Sequence, residues 1–95
     1  MHSLLLLALL ALPIDFKDAT AGKPLRISTH CSGPGITALV EVRGADGTTK
    51  TKHDCKIRKG VWVGPRLPKD SREKLVRVRL YRNGERIDAG ITRID

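Results

Sequence analysis

The chain is short of aromatic residues. Phe16, Trp62 and Tyr81 are the three it has in 95 positions. Binders of single-stranded nucleic acid set aromatic platforms beside their cations, so a nucleic-acid partner is not expected. Catalytic motifs are missing too. There is no G-x-S-x-G, no H-E-x-x-H and no paired-carboxylate motif, and the glycines at 33, 35, 44 and 47 lead into no Lys-bearing helix that could cradle a phosphate. An enzyme is therefore not expected, nor is a cofactor. No apolar run approaches the ~20 residues of a transmembrane helix, so stable membrane insertion is not expected. Acidic residues are few, 10 against 18 basic, for a net charge of +8. No helix of useful length, internal repeat or low-complexity tract can be read.

The longest apolar run is LLLLALLAL at residues 4–12, which has the length of a signal-peptide core, and Ala19-Thr20-Ala21 fits a small-x-small cleavage pattern. These assign residues 1–21 to a secretory signal peptide and residues 22–95 to a single domain, secreted or periplasmic. The region before the run lacks Lys and Arg, and three charges precede the proposed cut. A buried N-terminal helix or strand is the competing reading.

The domain is organised around residues 75–94. Asn83-Gly84 is a strong hairpin signal, because a type I′ turn needs positive φ at both central positions. A two-residue loop there sets Arg82 opposite Glu85, Tyr81 opposite Arg86, Leu80 opposite Ile87 and Arg79 opposite Asp88. Val76, Val78, Leu80, Ile87, Ala89 and Ile91 then share an inner face, while Arg77, Arg79, Tyr81, Arg86 and Asp88 share an outer one. A one-residue slip would undo the pattern.

Residues 25–31 and 36–43 alternate as half-buried strands. Asp46-Gly47 offers a second hairpin whose return strand, 49–57, carries Lys50, Lys52 and Lys56 outward. A four-residue loop is the alternative there. Residues 61–63 form a short strand closed by Gly64-Pro65. Six short strands with turn residues between them indicate an all-β fold, a small antiparallel β-sandwich of immunoglobulin or fibronectin type, with a small OB- or SH3-like barrel as the alternative.

A domain this small calls for a staple. Cys31 and Cys55 fall on inward strand positions, and in an exported protein they are expected to form a disulfide. His30-Cys31 and His53-Asp54-Cys55 resemble a zinc set. Strand alternation points His30 and Cys31 to opposite faces, however, so no metal site is expected.

The charge favours an acidic partner, either an acidic protein or a polyanionic surface polymer. The candidate contact residues are Arg77, Arg79, Tyr81 and Arg86, joined by Lys50, Lys52 and Lys56 if both hairpins share a sheet. Trp62 is either a core residue or an exposed anchor. In the second case the chain would be a structural, assembly or enzyme-inhibitor module working through the Trp62 loop or an edge strand.

Overall fold

The computed structural model describes residues 14–95, so the apolar run at 4–12 lies outside the described residues. Seven antiparallel strands form two sheets: β1 (Asp15–Asp18), β2 (Pro24–Ser28), β3 (Ile36–Gly44), β4 (Gly47–Asp54), β5 (Val61–Arg66), β6 (Leu75–Arg82) and β7 (Glu85–Arg93). One sheet has the order β1-β2-β5 and the other β4-β3-β6-β7. No helix is present among the described residues. The arrangement is all-β and fits a small β-sandwich.

Alternation builds the shared core. Leu25 and Ile27 enter it from β2, Ala38 and Val40 from β3, and Val76, Val78 and Leu80 from β6. Trp62 joins them at 4% exposure, while its neighbour Val63 is 60% exposed on the outer side of β5. The core alternative for Trp62 is thus the one the structure adopts, and an anchor role would need it exposed. The strand does not stop at Gly64-Pro65. It runs on to Arg66, which pairs with Pro24 across an irregularity. Pro65 is tolerated because β5 is an edge strand. Gly64 is needed there, since a Cβ would come within 3.0 Å of the Trp62 ring.

The sequence reading omits one strand. Residues 15–18, placed there in the leader, form β1 and pair with β2. Ile14 is buried, Phe16 packs against the core, and Ala21 and Asp95 are joined by a backbone hydrogen bond of 2.9 Å.

The closing hairpin keeps its turn and changes its register. Asn83 and Gly84 have φ of 53° and 77°, as a type I′ turn requires. Arg82 pairs with Glu85 and Tyr81 with Arg86, but Leu80 pairs with Asp88, so Ile87 is an extra, bulged residue. Beyond it the faces of β7 exchange. Asp88 and Gly90 lie opposite Leu80 and Val78 on the core side, whereas Ala89 and Ile91 lie opposite Arg79 and Arg77 on the outer side. The expected Arg79–Asp88 pair does not exist. The other hairpin turns at Ala45-Asp46, pairing Glu41 with Lys50 and Leu39 with Lys52. That is two residues away from the register set by Asp46-Gly47. A shift of two preserves the faces, and Lys50 and Lys52 still point outward. Lys56 lies past the end of β4.

Candidate functional site

Because β4, β3, β6 and β7 are neighbours in one sheet, the outward positions of both hairpins fall on one surface. The cross-strand rows are Lys52–Leu39–Arg79–Ala89, Lys50–Glu41–Arg77–Ile91 and Thr48–Arg43–Leu75–Arg93, with Tyr81 and Arg86 adjacent at the turn end. Seven cations therefore occupy this face: Arg43, Lys50, Lys52, Arg77, Arg79, Arg86 and Arg93.

Glu41 is the carboxylate at the centre of the face, and it is only 7% exposed. It lies 3.4 Å from Arg79 and 3.9 Å from Arg43. A carboxylate held among guanidinium groups partly neutralises those two. Among the described residues, Lys50, Lys52, Arg77, Arg86 and Arg93 enter no ion pair. Tyr81 helps line a recess of about 300 Å³ with Thr37, Leu39, Lys52, Asn83 and Gly84. The face thus combines free cations with a small apolar floor. The sequence reading leaves out Arg43, Arg93, Leu39 and the central Glu41. Alternation alone could have placed Arg43 and Glu41 outward on their strand, but only the strand order puts them beside Arg79.

A larger cleft of about 490 Å³ opens where β4 overhangs the three-stranded sheet. It is lined by Thr49, Thr51, His53, Pro65 and Leu67, among others. His53 hydrogen-bonds Thr51 Oγ1 at 2.8 Å, and its ring lies 6.2 Å from that of Trp62. These contacts make it a packed side chain of the cleft wall.

The two cysteines are free thiols, and the expected disulfide is not formed. The expectation depended on both lying at inward strand positions. Strand β2 ends at Ser28, so Cys31 lies on irregular chain beside β7, where its Sγ is 4.0 Å from the Ile87 carbonyl oxygen. Cys55 is buried just past β4, with its N–H donated to Ile36 O at 2.9 Å. Burial, with a smaller contribution from the charge of Cys31, pushes the Cys55 thiol up to about 11. The end of β2 also removes the alternation that separated His30 from Cys31: both now have donor atoms close to Asp88.

No family model, curated protein or solved structure matches the chain.

Proposed function

We propose that the chain is a small exported binding module of the β-sandwich kind, immunoglobulin- or fibronectin-like in its layering, which contacts an acidic protein or polyanionic surface polymer through the outer face of its four-stranded sheet. The observation that carries this reading is the gathering of both cationic hairpins on one face, with five of the seven cations free of carboxylate partners among the described residues. Positive charge on a continuous surface attracts a polyanion from a distance and loses that attraction as salt screens it. The recess beside Tyr81 would accept an apolar group carried by the same partner.

Retention on immobilised heparin, a model polyanion, tests the reading. Lys50→Glu/Lys52→Glu/Arg77→Glu should elute at clearly lower salt than Lys56→Glu/Lys69→Glu/Arg72→Glu, which changes net charge equally but off the face. Glu41→Gln should shift elution to higher salt. Equal elution of the two triple variants would mean that only net charge matters, and the face reading would be lost.

A further inference from the structure

The bulge in β7 produces a second feature that the cationic face does not use. Inserting Ile87 turns Asp88 to the core side at one end of the molecule. Bulges are common beside functional sites because they re-aim a side chain in this way. The Asp88 carboxylate is half-buried and held from two sides: Thr29 Oγ1 donates to Oδ2 at 2.8 Å and the Ala89 N–H donates to Oδ1 at 2.9 Å. Thr29 Oγ1 also accepts the Cys31 N–H at 3.1 Å, and Cys31 Sγ lies 3.9 Å from Asp88 Oδ2. His30 completes the group: one donor atom from each of His30, Cys31 and Asp88 lies within 4.8 Å of the others. Although the chain carries a net charge of +8, Asp88 enters no salt bridge among the described residues. A half-buried carboxylate served only by neutral donors still lacks a compensating positive charge.

We propose that His30, Cys31 and Asp88 bind a zinc-like divalent cation, leaving one coordination position open. Thiolate and imidazole select borderline ions of this class over magnesium or calcium, which take oxygen ligands. Bond lengths of about 2.3 Å to sulfur and about 2.0 Å to oxygen place tetrahedral S and O ligands about 3.5 Å apart. The 3.9 Å between Cys31 and Asp88 therefore has only a few tenths of an ångström to close. His30 is exposed on irregular chain and has room to swing inward. Thr29 acts as a positioning residue, fixing the carboxylate from behind as outer-shell partners of metal ligands do. Binding expels the Cys31 thiol proton to solvent and involves no change of oxidation state. Three protein ligands with an open fourth position belong to a site that holds water or a partner's ligand, not to a closed structural site.

The full chain, kept reduced, can be titrated with Co²⁺. The expected result is one ion per chain, with a thiolate-to-cobalt charge-transfer band that Zn²⁺ displaces. Cys31→Ser should abolish the band. His30→Ala and Asp88→Asn should each weaken binding at least ~10-fold, and Thr29→Val by ~10-fold, the lower range for outer-shell partners. His53→Ala and Cys55→Ser should bind as the wild type does. Since His30 is exposed, its truncation probes the site without disturbing the core. Absence of the band, its survival in Cys31→Ser, or wild-type affinity in His30→Ala would overturn the proposal.

Discussion

At the residue scale, Cys55 couples the core to pH. Its thiol is raised from 9.0 to about 11, chiefly by burial. A group whose pKa is higher folded than unfolded contributes stability that is complete below the unfolded value and is lost as pH rises through the folded one. The window is therefore pH 9 to 11. A two-unit shift corresponds to at most about 2–3 kcal/mol. Urea unfolding across that window should show the wild type losing more stability than Cys55→Val, with the difference approaching that size. Parallel curves would mean the thiol ionises equally well in both states. The same burial makes Cys55 the slower of the two thiols to meet an alkylating reagent. Trp62 shows the other side of residue-scale packing. The sequence left its direction open because Val61-Trp62-Val63 reads equally well in either phase. The phase is set across the strand pair, where Trp62 lies opposite the buried Ile27, and by Gly64, which leaves room for the ring.

At the element scale, β7 shows how much local pattern can carry. The Asn83-Gly84 turn and the first two pairs beyond it were legible, because turn geometry and two cross-strand residues determine them. The bulge at Ile87 was not. Ile87, Ala89 and Ile91 alternate perfectly in an unbulged strand, and no Gly or Pro marks the extra residue. What holds the bulge lies far away in the sequence: the Thr29 hydroxyl on Asp88, and the close approach of Ile14 and Phe16 to Gly90, where a Cβ would come within 3.0 Å of each. The two registers make opposite predictions for Ile91. In the unbulged strand it is a core residue, and a polar replacement would cost about 2 kcal/mol or more. In the bulged strand it is 47% exposed beside Arg77, and Ile91→Ser should change stability by no more than about 0.5 kcal/mol. A denaturant midpoint comparison decides between them. The cationic face was legible to the same degree. The outer residues of β3, β4 and β6 could be read from alternation, whereas Arg93 reaches the face only because the bulge exchanges the faces of β7, and the strand order that joins the strands into one surface is a non-local pairing of β3 with β6.

At the scale of the whole molecule, the segment that follows β1 meets the last residue of the chain. Asp95 donates its N–H to Ala19 O at 2.8 Å and accepts the Ala21 N–H, while Ala19 and Ala21 pack against the core. The small residues that resemble a cleavage pattern are therefore also the residues that let the segment after β1 lie close to the C-terminal strand. A cut after Ala21 would remove β1 and take Ile14 and Phe16 out of the core. It would also leave β2 as a bare sheet edge, open to pairing with another chain. Burying one side chain of the size of Ile14 contributes roughly 1.5–3 kcal/mol, and the partly buried Phe16 and the β1–β2 pairing add to that. A chain beginning at Gly22 should therefore be at least ~3 kcal/mol less stable than one beginning at Ile14, which lowers the melting temperature by about 12 °C or more for a domain this size. If the protein is exported, the mature N-terminus should fall at or before Ile14, because a later one would discard part of the fold. Intact mass of the exported chain reads the terminus directly, and thermal unfolding of the two truncations reads the cost. A mature chain starting at Gly22 that melts at the same temperature as the longer one would show that β1 is dispensable to the fold.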